Sequence, residues 1–127
     1  MAQRDFEKAL ELIFKDDKRY ALGAYIFVRM ALDYTVKKAA AQKAGRGSRH
    51  VSAAELLDGI REFGIETFGP MAKVLLDEWN VKTCRDFGEI VFNMIKVGEL
   101  SKNDDDKIED FDNGYDFDTA FVKCFKA

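Results

Sequence analysis

Four aspartates recur at every second residue near the end of the chain, as Asp110-x-Asp112-x-Gly114-x-Asp116-x-Asp118. Carboxylates are hard oxygen ligands, so the first chemistry to weigh is calcium binding. An EF-hand loop needs oxygen ligands at positions 1, 3 and 5, glycine at 6 and a carboxylate at 12. Counted from Asp110, Gly114 falls at the fifth position, Tyr115 at the sixth and Phe121 at the twelfth. The spacing fails, and no metal is assigned. Period two explains the run otherwise: the four aspartates share one face, and Phe111, Asn113, Tyr115 and Phe117 share the other. That predicts a half-buried strand pair turning at Asp112-Asn113-Gly114, with its acidic side in water.

His50 is the only histidine. Catalysis by it would need a nucleophile or acid and an orienting group, and Ser48 and Ser52 are neighbours in sequence only. Its plainer role is a loop-edge histidine steadying the next helix. The stretch Lys37–His50 carries Lys37, Lys38, Lys43, Arg46 and Arg49 with no acid among them. Small residues and a following helix start would let it approach phosphate. It lacks the G-x-x-x-x-G-K-[ST] and G-x-G-x-x-G spacings, so a solvated basic loop is the simpler reading. Asp86-Phe87-Gly88 matches a kinase tripeptide without the glycine-rich loop or H-R-D segment that would accompany it. No catalytic residue and no cofactor is assigned.

These residues need elements to hold them. Phe6, Leu10, Ile13 and Phe14 predict a first helix over 4–15. Ala24, Phe27, Val28, Ala31, Leu32 and Thr35 predict a second from Arg19 to about Ala44, against a strand reading of Tyr20–Val28. Gly45 and Gly47 open a loop. Ser52 and Glu55 form a capping box, with Val51 and Leu56 at staple spacing, for a helix over 53–68. Pro70 suits the first position of a helix over 70–80 whose core face is Val74, Leu75 and Trp79, closed by Asn80. Thr83 and Asp86 cap a helix over 84–97 with the stripe Phe87, Ile90, Val91, Met94 and Ile95, stopped by Gly98. Asp118 is expected to cap a last helical turn.

At 127 residues, 47% hydrophobic and with a single proline, the chain is one domain with enough apolar surface for a core. No run is apolar enough to span a membrane, and the N-terminus lacks a signal core. Cys84 and Cys124 are far apart with no metal-ligand spacing, and read as reduced thiols. A cytoplasmic location is expected. Residues 104–118 hold eight acids against one base, net −7 in a chain of net −3, so the remainder carries +4. The domain is basic in the middle and acidic near its end.

Three helices followed by a hairpin is an order that resembles a winged-helix domain. In DNA-binding members of that class the third helix enters the major groove. Here its outward residues would be Arg85, Asp86, Glu89, Asn93 and Lys96, a mixed set beside an acidic wing, which disfavours phosphate contact. Over about Arg19 to Phe121 there is a second resemblance. It rests on Arg49-His-Val-Ser52, Glu55-Leu-Leu57, Gly59-Ile-Arg61, Phe68-Gly-Pro-Met-Ala72, Asp86-Phe-Gly-Glu-Ile-Val-Phe-Asn93 and Gly114-Tyr-Asp-Phe117. These strings resemble a small family of uncharacterised bacterial proteins, chiefly from planctomycetes, verrucomicrobia and related bacteria. The resemblance implies a bacterial cytosolic source and supplies no activity.

The fold expected is mainly α (α+β). One domain over 1–127 would hold N-terminal helices (1–44), a basic loop (45–52), a winged-helix-like three-helix core (53–97) and an acidic hairpin with a C-terminal turn (98–127). The function expected is a non-enzymatic interaction or regulatory module. It would meet a protein partner through Asp110, Asp112, Asp116 and Asp118 or through Lys37, Lys38, Lys43, Arg46 and Arg49. The alternative is nucleic-acid binding by residues 37–50, and an enzyme comes third. Neither nucleic acid nor membrane is the expected partner.

Overall fold

The computed structural model describes residues 2–42 and 51–125, with side chains from Phe6 to Ala41 and from Val51 to Phe125. Six α-helices follow in order: α1 (Ala2–Asp16), α2 (Leu22–Gln42), α3 (Ala53–Phe68), α4 (Ala72–Glu78), α5 (Cys84–Lys96) and α6 (Phe117–Phe121). Short 3-10 turns at Gly69–Met71, Ile108–Phe111 and Lys123–Phe125 complete the chain. No helix among the described residues is long and apolar enough to cross a membrane.

The helix starts follow local chemistry. The Ser52 Oγ accepts from Glu55 N–H at 3.1 Å, and Glu55 Oε1 accepts from Ser52 N–H at 2.9 Å, so the capping box is closed both ways. Asp86 Oδ2 accepts from Thr83 N–H at 3.1 Å and from Lys82 N–H at 2.8 Å at the start of α5. Gly98 follows α5 with φ +82°, a left-handed conformation that glycine adopts without cost. Asn80 also has positive φ, which Asn tolerates, and its side chain donates to Arg19 C=O at 2.9 Å. That bond ties the end of α4 to the turn between α1 and α2.

The core runs between α2, α3 and α5, with α1, α4 and α6 closing its sides. Ala24, Val28 and Ala31 of α2, Leu56 and Ile60 of α3, and Phe87, Ile90 and Met94 of α5 are buried together. Gly59 of α3 lies directly against Thr35 of α2, leaving no room for a β-carbon. An aromatic cluster fills the corner between α2, α3 and α4, where Phe27 meets Phe63, Phe68 and Trp79 at 5.6–5.8 Å between ring centres. The outer face of α2 also bears apolar residues. Leu22, Ile26 and Met30 are 40–50% exposed at i, i+4, i+8 spacing.

The expected hairpin is not there: the described residues form no strand, and the α+β class gives way to an all-helical one. Local hydrogen bonding took the aspartates instead. Asp110 accepts from Lys107 N–H at 3.1 Å, and Asp116 accepts from Thr119 N–H at 3.0 Å. Each closes a tight turn or caps a helix, which a flat strand pair cannot do at the same time. Asp116, not Asp118, caps the last helix. The wing of the winged-helix expectation is therefore absent from this segment. The face of the fourth helix also differs: Val74 is 49% exposed, while Ala72 and Leu76 are buried. Pro70 lies inside a 3-10 turn, Gly69–Met71, rather than at the start of the α-helix itself, and three residues per turn rotate the following face.

Phe27→Ala is expected to cost about 3–5 kcal/mol, because the ring is buried and three aromatic neighbours lose their contact. Trp79→Ala is expected to cost less, about 2–3 kcal/mol, since Trp79 is only half-buried. Urea denaturation of both variants checks the order; equal costs would refute this account of the corner.

Candidate functional site

Residues 98–116 cross the ends of α3 and α5 with aromatics inward and, from Asp104 onward, acids outward, while Glu99 turns in to pair with Arg29 at 3.2 Å. Phe111, Phe117 and Phe121 are buried and Tyr115 is half-buried. Tyr115 donates its hydroxyl to Leu57 C=O at 2.8 Å and its N–H to Cys84 Sγ at 3.3 Å, while the Cys84 thiol donates to Tyr115 C=O at 3.4 Å. Burial pushes the Cys84 thiol up despite the Tyr115 N–H, and burial holds the Tyr115 phenol far above its ordinary value. Gly88 of α5 admits Phe111. A β-carbon on Gly88 would lie 2.9 Å from Phe111 Cβ and Cγ.

The acids divide by use. Asp106, Asp110 and Asp116 accept backbone N–H groups. Asp112 pairs with Arg85 at 2.7 Å. Asp104, Asp105, Glu109 and Asp118 are exposed and make no ion pair among the described residues.

Between this segment and α2, α3 and α5 lies a groove of about 370 Å³. Leu32 and Val36 of α2, Phe92 and Ile95 of α5, and Leu100 form apolar walls over a floor that includes Phe111. The walls are half-buried, so apolar surface stays open to water. Asp106, Asp110, Lys102 and Lys107 stand on the lip.

On the far side of α5 a chain of polar groups runs from Asp112 to the α1–α2 turn. Arg85 pairs with Glu89 at 3.0 Å, and Arg19 joins Glu89 at 3.1 Å to Asp17 at 2.6 Å. Asn93, only 8% exposed, donates to Asp17 and to the Tyr25 hydroxyl, both at 3.0 Å. Tyr20 donates to Asp86 at 2.5 Å. The Arg19 hydrogen bonds, aided by Asn93 and opposed by burial, hold the Asp17 carboxyl well below the usual carboxylate range. Burial pushes Glu89 upward, but the hydrogen bonds from Arg85 and Arg19 outweigh it and leave that carboxyl lowered.

Of the sequence-predicted basic residues, Lys37 and Lys38 fall among the described ones. Lys37 is exposed on α2, and Lys38 is paired with Glu62, which also accepts from Tyr34. Lys43, Arg46, Arg49 and His50 lie outside the described residues. Of the residues taken as the outward face of a recognition helix, Lys96 is exposed and Asp86 caps α5, while Arg85, Glu89 and Asn93 belong to the polar chain, Asn93 being buried. Their i, i+4, i+8 spacing was the available signal for it. Nothing in the sequence pattern signalled the groove. No group of three or more His, Cys, Asp or Glu able to hold a metal ion occurs among the described residues. Compared with known protein families, curated proteins and solved structures, the chain matches none.

Gly88→Ala is expected to destabilise by about 1–3 kcal/mol, because Phe111 must move to admit a methyl group. Backbone amides of 108–116 should lose hydrogen-exchange protection more than those of α3, and a uniform loss would refute the anchoring role.

Asp17 carries a pH dependence of definite sign. Its folded value lies below the unfolded one, near 3.9. Its stabilisation is therefore complete above about pH 5 and is lost as pH falls toward the folded value. Asp17→Asn should cost about 1 kcal/mol at neutral pH, a modest figure because Arg19 is half exposed. The variant should also lose stability less steeply between about pH 5 and pH 2.5. Urea midpoints across that range check both.

Proposed function

We propose that this chain is a non-enzymatic interaction module whose acidic segment 104–118 receives a basic surface of a protein partner. One observation carries the reading: Asp104, Asp105, Glu109 and Asp118 face solvent without ion pairs among the described residues, on a segment held from beneath by Phe111, Phe117 and Phe121. Anchored side chains keep the acids in fixed relative positions. A fixed field of one sign steers an oppositely charged partner and sets its register.

No observation favours nucleic acid as the partner. The polar side of α5 is occupied by Asp17, Arg19 and Asp112, and Lys38 is paired with Glu62. The acidic segment would meet phosphate as like charge. A cytosolic location belongs to the same proposal, supported by Cys84 and Cys124 being free thiols.

The variant that tests this combines Asp104→Asn, Asp105→Asn, Glu109→Gln and Asp118→Asn, which spares the caps Asp110 and Asp116 and the Asp112–Arg85 pair. Against a lysine-rich peptide, calorimetry should show salt-sensitive binding by the wild type and a loss of about tenfold or more in the variant, at unchanged melting temperature. Duplex DNA should bind neither form tightly. Equal peptide affinity for both forms, or sub-micromolar DNA affinity with a steep salt slope, would refute the reading.

A further inference from the structure

We propose that the groove between α2, α3, α5 and residues 100–111 is the docking site for one amphipathic helix of the partner. That helix is apolar along one side and bears lysine or arginine along its edge. The inference rests on the interaction reading above and identifies what the acidic segment borders.

The walls set the first requirement. Leu32, Val36, Phe92, Ile95 and Leu100 are each half-buried, contributed by α2, α5 and the chain beyond it, and all turn toward one concavity. Apolar side chains that fill it remove that surface from water, which is the main source of affinity in such sites. A volume of about 370 Å³ is at the small end for a binding pocket and suits a few side chains of one helix face, at i, i+3 or i+4, and i+7.

The backbone sets the second. An extended peptide gains its affinity by pairing with an open sheet edge. The groove is walled by helices whose backbone groups are used internally, and the described residues contain no strand to pair with. Strand addition is thereby excluded, and a helix, which satisfies its own N–H and C=O groups, needs nothing from the groove's backbone.

Charge sets the third. From Lys102 to Asp112 six acids stand against Lys102 and Lys107 in the sequence, and Asp110 is on the lip itself. Asp104, Asp105 and Glu109 extend the negative rim outward. Lysine or arginine flanking the apolar side of a helix meets this rim, whereas a helix with acidic flanks is repelled by it. An amphiphile with an anionic head is disfavoured for the same reason.

Three fluorescein-labelled peptides test the proposal on the whole chain. The first has leucines on one helical face and lysines along both edges; the second replaces the leucines by alanine; the third replaces the lysines by glutamate. Val36→Glu puts a charge in the apolar wall without weakening the acidic lip, and Ala53→Trp, which fills the groove instead, serves if the first variant melts early. Anisotropy should give the first peptide an affinity about tenfold or more above the second and third. Val36→Glu should remove most of that advantage over the second peptide. Amide shifts in the wild type should centre on Leu32, Phe92, Ile95 and Leu100. If the first two peptides bind equally and Val36→Glu changes neither, charge alone acts: the groove proposal falls and the interaction reading stands. If the third binds as well as the first, the partner chemistry is wrong. If none binds, both fall together.

Discussion

The chain of charged and polar groups from Tyr25 and Asn93 through Asp17, Arg19, Glu89 and Arg85 to Asp112 is the constraint on which the arrangement depends. It fixes three remote stretches of sequence to one side of α5 while the apolar stripe Phe87, Ile90 and Met94 is buried on another. Individually, exposed ion pairs of this kind contribute about 0–1 kcal/mol, and burial of the stripe contributes far more. The polar chain acts chiefly on geometry. Tyr25 and Asn93 are its most protected members, and Asn93 and Asp17 have partners that would be left unmatched by a shift in register. With the polar chain on one side of α5 and the buried stripe on another, the surface left for a partner is the edge at Phe92 and Ile95, and the segment after Gly98 borders it.

That segment meets a physical difficulty, since closely spaced acids repel. Screening reduces repulsion beyond about 8–10 Å but not between neighbours. The structure distributes the load. Asp106, Asp110 and Asp116 are held by backbone donors, and Asp112 has a guanidinium partner. Phe111, Phe117 and Phe121 add apolar burial on the opposite side, each worth about 1.5–3 kcal/mol when fully enclosed. The acids left with neither a backbone donor nor an ion pair among the described residues are therefore few, and Asp104, Asp105 and Glu109 belong to the segment that borders the apolar groove rather than to an isolated tail.

Much of the helical framework is legible in the sequence, because apolar residues at a period of 3.6 and the Ser52–Glu55 box are local signals. The failures have local causes too. Alternating Asp and aromatic residues fit a strand pair, but an Asp three residues before an N–H in need of a partner fits a capped turn equally well, and hydrogen bonding chose the second. α4 turned a different face inward because a 3-10 turn, Gly69–Met71, precedes it. α2 admitted a strand reading over Tyr20–Val28 because several residues there are aromatic or β-branched. The candidate site was visible only as composition. Its acids can be counted in a sequence, but the groove is assembled from residues dozens of positions apart, and no short pattern encodes such a meeting. The expected outward placement of Asn93 fails for a related reason: a polar residue on an amphipathic helix need not face water when a neighbouring turn brings partners for it.

The two thiols stand in opposite situations. Cys124 is exposed, while Cys84 is buried beneath Gly114 and exchanges hydrogen bonds with the Tyr115 backbone. Thiol chemistry runs through the thiolate, and burial keeps Cys84 protonated. The protein thus carries its own latch indicator. A thiol-directed dye marks Cys124 at once and reaches Cys84 only when Tyr115 lifts from its seat, so the slower labelling phase times how often the acidic segment comes away from the helices beneath it.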